Sequence, residues 1–305
     1  MTLRSGWSLL FSLLCVVALF GGPSTVHAVV RCEAIHDLRS GLEIVTPGLS
    51  AYQRQGVAYG LNYTSFKHLL RAYDRIREGR IEGENIYEQF LTALTIRLKV
   101  QESQLAAIPR TGPMVLTSNH PFGGLDGIIL VALMKRLRPD VKFMAAEMLT
   151  VIPELRGAII PVSFAKGPEG SAARQQAFES AMAHVAEGGA LIIFPAGGVA
   201  QATGFLGLGK AIDTPWKAGA ARILQATGAT QVSAYFPGQN SLLFQTLGRI
   251  PGVRPLFLGR EIVNKEDTDV TVRFAEPQRR DWLENGVTSE EITHALRERT
   301  DALAD

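Results

Sequence analysis

The sequence predicts a single α/β domain, a mixed, mostly parallel sheet flanked by helices, with a helical segment ahead of it. The 305 residues are 46% hydrophobic and 20% charged, so the chain can bury one large core. After Gly112, short apolar runs alternate with longer helical stretches, as in strand-helix-strand units. We therefore expect residues 1–30 to be a signal-like or membrane-anchor segment, 31–110 to be helical and 111–305 to form the α/β domain.

The first thirty residues have the features of a secretory signal. Arg4 supplies a short positive region, residues 7–20 are nearly all apolar, and the sequence at 26–28 resembles a small-residue cleavage site. The apolar run of roughly 14 residues is shorter than the about 20 that a membrane span needs. Three interpretations stay open: a cleaved signal, an uncleaved anchor in the inner leaflet, and a translation start placed too far upstream.

The stretch 51–100 has helical periodicity. One helix is indicated by apolar residues at helix spacing, namely Phe66, Leu69, Leu70, Tyr73 and Ile76. On the same stretch, Lys67, Arg71 and Arg75 form a basic stripe at intervals of four. The stripe is either a solvated face or the side of an amphipathic helix that faces anionic lipid. A second helix is predicted over 84–100.

The elements of the sheet domain follow from the alternation of apolar runs and helical stretches. Strands are predicted at 114–117, 141–145, 158–162, 190–194, 232–236, 255–258 and 270–274. Helices are predicted at 128–137, 171–187, 217–227, 241–247 and 289–303.

Charge and cysteine content exclude several functional classes. A formal net charge of +2, from 31 basic and 29 acidic side chains, gives no global field that would favour nucleic acid as a partner. Cys15 and Cys32 are too few for a disulfide framework or a thiolate metal site. The histidines lack metal-ligand spacing, so no metal is expected. The Gly-x-Ser-x-Gly turn of serine hydrolases is also absent.

The most informative segment is 118–127, SNHPFGGLDG. It follows an apolar strand and leads into a helix, which is where open α/β sheets place their active sites. Gly123 and Gly124 would let the chain fold back so that Asp126 reaches the imidazole of His120, and a histidine held in this way can serve as a general base. Alternatively, Asp126 caps the following helix and His120 is a loop histidine with satisfied hydrogen bonds.

This segment resembles the active-site block of the lysophospholipid acyltransferases, in the phospholipid/glycerol acyltransferase superfamily. The usual motif is Asn-His, four residues, then Asp; here five residues separate His120 from Asp126, a spacing found in a divergent, hemolysin-like branch. The resemblance implies that His120 deprotonates the acceptor hydroxyl as it attacks an acyl thioester, while Asp126 orients the imidazole. It also implies a glycerol-3-phosphate acyltransferase-like fold, with Asn119, Gly123 and Gly124 shaping the substrate pocket.

Three later segments agree with the resemblance: 147–162, 194–198 and 237–241 resemble the second, third and fourth family blocks. In the third block, backbone N–H groups at Gly197 and Gly198, after Pro195, could bind a phosphate or the thioester oxyanion. The other interpretation is a glycine-rich turn. The block departs from the common Phe-Pro-Glu-Gly-Thr-Arg-Ser, because Ala196 stands at the Glu position and Val199 at the Arg position.

Two further positions lack an arginine that the family has, and this affects which acceptor is expected. The second block lacks its phosphate-binding Arg, and Gln239 stands where the fourth more often has Arg. Since a phosphate monoester needs cationic partners, either Arg156, Lys166 or Lys210 substitutes, or the acceptor has no such phosphate. We favour the second, which indicates a lyso-lipid with another head group, such as an amino-acid lipid.

The expected function is that of an O-acyltransferase moving a fatty acyl group from acyl-CoA or acyl carrier protein to a lyso-lipid hydroxyl, with no further cofactor. The alternative is a catalytically weakened lipid-binding protein on the same fold. Expected partners are a membrane lipid acceptor, the acyl donor and the membrane surface. Because both donors are cytosolic, whereas signal cleavage would export the chain, we expect attachment at the cytoplasmic face of the inner membrane. Export remains the alternative.

Overall fold

A six-stranded sheet organises the computed structural model, which describes residues 63–204, 207–247, 257–279 and 286–304. The strands of the described ranges are β1 (Arg97–Lys99), β2 (Met114–Ser118), β3 (Val141–Ala146), β4 (Ile159–Val162), β5 (Ala190–Ile193), β6 (Gln201–Ala202), β7 (Ala211–Ile212), β8 (Thr230–Tyr235), β9 (Asp269–Thr271) and β10 (Arg273–Phe274). The sheet order is β10-β8-β2-β5-β3-β4, and β10 pairs antiparallel with β8 while the other neighbours are parallel. The predicted fold class is therefore confirmed.

Helices cover both faces of this sheet, as the buried, apolar strands require. They are α1 (Tyr63–Arg77), α2 (Ile86–Ala93), α3 (Glu102–Ala106), α4 (Gly124–Leu137), α5 (Gly167–Ala186), α6 (Gly219–Thr227), α7 (Leu242–Leu247), α8 (Leu258–Val263) and α9 (Ser289–Asp301). On one face α1, α2 and α4 form a core with alternate strand residues such as Leu116 and Ile192. On the other, α5, α6 and α9 pack against Val115 and Leu191.

The sheet has a topological switch point between β2 and β5. These strands are parallel neighbours, with Met114 opposite Ala190 and Thr117 opposite Ile193. The chain leaves β2 into α4 on one face, and after β5 it reaches α6 on the other face. Because the two connections diverge, a crevice is left at the carboxyl ends of β2 and β5, where ligands bind in open α/β sheets.

The segment before the sheet packs onto the main core. Leu69, Ala72 and Ile76 of α1 are buried there, while Arg71 is exposed. Arg75 donates to the Ala93 carbonyl at 2.6 Å, so this member of the basic stripe satisfies the end of α2. The Lys67 side chain and residues 1–30 lie outside the described residues, so the predictions about them stay predictions.

The helix predicted over 84–100 is too long. Asn85 caps α2 by accepting the N–H groups of Tyr87 and Glu88, but the helix ends at Ala93. Thr95 takes φ of 50°, a value at which an α-helix cannot continue. The chain then enters β1, which pairs in parallel with β9. The apolar pattern reflected burial on either side of a turn rather than one continuous helix.

Two strand predictions near the C-terminus are also corrected. Within 255–258, residues 255 and 256 lie outside the described ranges, but Leu258 begins α8 and is not in a strand. The run 270–274 is two strands, because the chain changes partner at Val272: Thr271 pairs with Lys99 in β1, and Arg273 pairs with Tyr235 in β8. A continuous apolar run cannot reveal such a change of sheet.

Candidate active site

His120 and Asp126 meet at the switch point. β2 ends at Ser118 and α4 begins at Gly124, so both residues lie around the strand-to-helix turn. The Nδ1 atom of His120 is 3.0 Å from Oδ2 of Asp126, and the two side chains are 17% and 0% exposed. The contact is short, although it lacks the alignment of a hydrogen bond. Such catalytic contacts often tighten only when substrate binds.

The Asp126 carboxylate is fully buried and held by the backbone. Its Oδ2 accepts the N–H groups of Phe122 at 2.9 Å and Gly123 at 3.0 Å. Burial raises the pKa of Asp126, and the contacts with His120 and the two N–H groups oppose that shift. The sequence left open whether Asp126 caps the helix or contacts His120, and in the structure it does both. Its Oδ2 closes the first turn of α4 and also faces the imidazole.

Gly123 makes the turn possible. It has φ of 75° and ψ of −129°, a conformation that side chains strongly disfavour. A Cβ atom there would lie 2.8 Å from Leu258 and 3.1 Å from Val199, so α8 and the third block both approach closely. At Gly124 a Cβ would meet only Ile262, at an ordinary 4.0 Å. Gly123 is therefore required by the turn, whereas Gly124 is a helical residue with room for a methyl group.

Asn119 ties the ends of two strands together. Its Nδ2 donates to the Phe236 carbonyl at 2.9 Å, and the Phe236 N–H donates to its Oδ1 at 2.8 Å. Both ends of the amide are thus bonded to the chain that leaves β8. Asn119 therefore fixes the position of this chain segment next to His120, and its role in shaping a substrate pocket stays a prediction.

The third block wraps around His120. The ring of Phe194 stacks on the imidazole, with centroids 4.1 Å apart and planes at 27°. The Ala200 N–H donates to the His120 carbonyl at 2.8 Å. The residues between form a turn in which Gly197 has φ of 67° and its N–H donates to the Phe194 carbonyl at 2.9 Å. One face of the imidazole is therefore covered by protein.

A lysine lies beside this turn. A Cβ atom on Gly197 would be 3.0 Å from Nζ of Lys217, whereas one on Gly198 would meet nothing within 4 Å. The Lys217 N–H donates to the Pro195 carbonyl at 3.0 Å, which holds the two segments together. The turn of Pro195, Gly197 and Gly198 thus lies between Phe194 and Ala200, which both contact His120, and a cation lies beside Gly197. The Gly197 N–H is already bonded within the turn, so of the two backbone donors that the sequence predicts for an anion, only the Gly198 N–H stays a candidate.

A partly buried aspartate, Asp213, holds the backbone of His120. The His120 N–H donates to Oδ1 of Asp213 at 3.1 Å, and Nε1 of Trp216 donates to Oδ2 at 2.9 Å. Burial raises the pKa of Asp213, which these two donors oppose. Trp216 therefore packs and positions Asp213 at the same time.

Comparison with known proteins agrees with this geometry. A family model described as Acyltransferase matches residues 86–305, which is more than half of the chain. The chain belongs to this acyltransferase family. The resemblance drawn from the sequence blocks is thereby confirmed at the level of the superfamily.

Two individual proteins are also similar to this acyltransferase. A lyso-glycine lipid O-acyltransferase from Phocaeicola vulgatus is 26% identical over 187 residues, which are 59% of this chain and 64% of that protein. The match thus spans less than two thirds of the relative. The solved structure of the 1-acyl-sn-glycerophosphate (LPA) acyltransferase PlsC from Thermotoga maritima is 16% identical, with a TM-score of 0.47, and the match covers 97% of this chain and 93% of that one.

The cations considered as substitutes for the missing arginines lie in other surroundings. Arg156 donates to the Thr150 carbonyl at 2.6 Å within its own loop. Lys166 is exposed at the start of α5, and Lys210 is exposed just before β7. No contact between these three and His120 occurs in the part of the acyltransferase that the structure describes.

Sequence reasoning missed three features of the site: the Phe194 stack, the Asp213 support and the proximity of Lys217 to Gly197. Asp213 is 93 residues from His120 in sequence, so spacing gives no sign of their contact. The only available signal was the segment 213–217, where a polar and an aromatic residue flank a proline before a helix. Among the described residues, no group of three or more His, Cys, Asp or Glu could hold a metal ion.

Proposed function

We propose that this acyltransferase transfers a fatty acyl group from acyl-CoA or acyl carrier protein to a hydroxyl of a lyso-lipid, with His120 as general base. The observation that carries the proposal is the His120–Asp126 pair, 3.0 Å apart at the switch point. A partly exposed imidazole beside a buried carboxylate is the arrangement that a general base needs. The family match supports acyl transfer as the reaction class.

The chemistry follows from the two ring nitrogens. Asp126 faces Nδ1, so Nε2 is the nitrogen that takes the proton from the acceptor hydroxyl. The hydroxyl oxygen bonds to the thioester carbon as that proton leaves, and the carbonyl oxygen becomes negative. The intermediate then collapses, the carbon–sulfur bond breaks, and the imidazolium returns its proton to the departing thiolate. The buried Asp126 stabilises the imidazolium between these two steps.

The turn at Gly197 and Gly198 is our candidate for the site that binds a phosphate or the thioester oxyanion. The support is its position, since Phe194 of the same loop stacks on His120 and Nζ of Lys217 lies above Gly197. Fixed donors aimed at developing charge commonly contribute two to three orders of magnitude in rate.

For the acceptor, we propose a lyso-lipid whose head group is an amino acid rather than a phosphate monoester. The absence of the family arginines from the second and third blocks supports this choice. The relative from Phocaeicola vulgatus, whose name gives a lyso-glycine lipid as its substrate, supports it as well.

The test uses the purified full-length chain with labelled acyl-CoA or acyl carrier protein and a panel of lyso-lipids. Turnover should fall by about two to four orders of magnitude in His120→Ala, because the base is lost. The matched control is His294→Ala, an exposed histidine on α9, which should keep full activity. Turnover that survives His120→Ala would overturn the mechanism. Tight lipid binding without turnover would favour the weakened lipid-binding protein instead.

The site of action is proposed to be the cytoplasmic face of the inner membrane, because the acyl donors are cytosolic. No helix in the described ranges is both long and apolar enough to cross a bilayer. N-terminal sequencing of the protein from the membrane fraction tests the proposal: an intact N-terminus supports it, and a mature chain starting near Val29 contradicts it.

A further inference from the structure

A small cleft opens at the end of β8, with Phe122 in its wall. Its volume is about 250 Å³, room for a polar head group rather than an acyl chain. It is lined by Phe122, Pro237, Gly238, Gln239, Asn264, Lys265, Thr268, Asp269, Val270 and Thr271. Most of these side chains or backbone groups can donate or accept hydrogen bonds. The cleft is thus suited to a small polar group.

Lys265 is the distinctive residue of this cleft. It is partly buried, and its Nζ lies 4.5 Å from the ring centroid of Phe122. Burial lowers the pKa of Lys265, while the negative charges of Glu261 and Asp126 oppose the shift. Within the described ranges its ammonium group makes no ion pair, so a partly desolvated cation faces the cleft with an aromatic ring as its neighbour.

The acidic groups around Lys265 already have other partners. Glu261 accepts the Ser241 N–H at 2.8 Å and the Ser241 hydroxyl at 2.7 Å. Asp126 accepts two backbone N–H groups, as described above. Asp269, the acidic residue of the cleft lining, pairs with Arg97 at 2.6 Å and Lys99 at 3.4 Å. The charge of Lys265 is therefore not cancelled by a dedicated counterion among these neighbours.

The cleft is connected to the catalytic pair through Phe122. This residue lies two positions after His120, and its N–H binds Asp126 while its ring forms the cleft wall. Gly238 has φ of 109°, and a Cβ there would be 3.1 Å from Phe122, so the glycine lets the turn after β8 close against the ring. Phe122 thus contacts Lys265 with its ring and Asp126 with its backbone N–H, and the charge of Asp126 acts on Lys265 directly.

The strand order separates this cleft from the third block. β8 and β5 flank β2 on opposite sides, so the turn at 237–239 and the turn at 195–198 lie on opposite sides of His120. A bisubstrate reaction needs two such sites around one base. Since Val199 stands at the Arg position of the third block, that block lacks the cation that would hold an acceptor phosphate, so the thioester is left for the third block and the acceptor's head group for the cleft.

We propose that the Lys265 cleft binds the acceptor's head group and selects one that carries a single negative charge. This assignment rests on the acyl transfer proposed above, and it makes Lys265 the residue that recognises the acceptor's head group. A lone ammonium neutralises one charge, whereas a phosphate monoester carries close to two and is bound best by paired or bidentate cations. Carboxylate and phosphodiester head groups both fit this description.

The test compares KM for four acceptors: lyso-lipids with a carboxylate, a phosphodiester or a phosphate monoester head group, and a neutral monoacylglycerol. Lys265→Gln should raise KM for the carboxylate or the phosphodiester acceptor by about tenfold or more, because a charge-assisted contact is lost. KM for the neutral acceptor and for the acyl donor should not change. Lys265→Arg, which keeps the charge, should restore part of the preference.

The control is Lys135→Gln, at the far end of α4 and so about 16 Å along the helix from Gly124. It should leave every KM unchanged. An equal rise for charged and neutral acceptors in Lys265→Gln, or a change in donor KM alone, would overturn the inference while acyl transfer stands. No turnover by the wild-type chain with any acceptor would instead refute the proposed function.

Discussion

Asp126 combines burial, charge and a catalytic contact in one side chain. Because burial raises its pKa above that of the unfolded chain, its contribution to stability is full at low pH and is lost as pH rises through the folded-state pKa. In its ionised form the carboxylate therefore costs stability that the fold supplies from elsewhere. This is the expected signature of a residue kept for chemistry.

Asp126→Asn should separate these roles. An asparagine oxygen can still accept the N–H groups of Phe122 and Gly123, but no charge is buried. We expect Tm at pH 8 to rise by a few degrees, with the gain vanishing toward pH 4, while turnover falls by about three to four orders of magnitude. Thermal unfolding across pH and initial rates measure the two effects.

Asp140→Asn is the matched control with the opposite sign. Its carboxylate accepts two bonds from the buried Arg138, at 2.7 and 2.6 Å, and this partner lowers the pKa of Asp140. Its stabilisation is present above the unfolded-state pKa and disappears as pH falls through the folded-state pKa. Asp140→Asn should thus lower Tm more at pH 8 than at pH 3. The same pH slope for both variants would contradict the account of Asp126.

At the scale of elements, the turn between β2 and α4 carries the site. Gly123→Ala should destabilise the protein by about 2 to 4 kcal/mol, since the substitution adds backbone strain to a close contact with Leu258 and Val199. Gly188→Ala is the comparison: it also has a positive φ, of 96°, but a Cβ there meets nothing within 4 Å. About 1 kcal/mol is expected for it. Urea unfolding midpoints of the two variants measure the difference. Equal losses of stability would show that the close approach of Leu258 and Val199 to Gly123 does not add to the cost.

The sequence was most informative where a pattern is local. The end of β2, the glycines and Asp126 are neighbours in sequence within 118–127. Both the turn and the His120–Asp126 contact could therefore be predicted. The α2 boundary was missed because Thr95, which ends the helix pattern by its positive φ, is not a usual helix terminator. Contacts of His120 with Phe194 and Asp213 depend on the strand order, which periodicity does not reveal.

At the scale of the whole molecule, the β6–β7 hairpin and α7 carry exposed apolar residues. The β6–β7 hairpin packs on α7, since Gln245 accepts the Ala202 N–H at 3.0 Å. Four large aliphatic side chains of this hairpin–α7 face are exposed: Leu208 at 69%, Ile212 at 46%, Leu242 at 53% and Leu243 at 42%. Exposed apolar side chains of this kind favour contact with a lipid surface.

This face predicts membrane binding that does not depend on the N-terminus alone. In the full-length chain, Leu208→Asp with Leu242→Asp should weaken binding to phospholipid vesicles about tenfold or more, because two leucines no longer enter the lipid. Vesicle sedimentation measures it, with Val287→Asp, an exposed valine before α9, as the control. If the double variant binds as well as wild type while deletion of residues 1–30 abolishes binding, the N-terminal segment is the membrane contact and the face is not.

The stacking of Phe194 on the imidazole limits the rotation of the His120 ring. A histidine ring in open solvent turns over about its Cβ–Cγ bond and exchanges its two nitrogens, but this ring lies against an aromatic plane 4.1 Å away, with Asp126 fixed at Nδ1. Rotation would require the third block to withdraw. In the proposed mechanism, Nε2 therefore faces the acceptor throughout, takes its proton and gives it to the thiolate, so the ring ends each cycle in the tautomer in which it began.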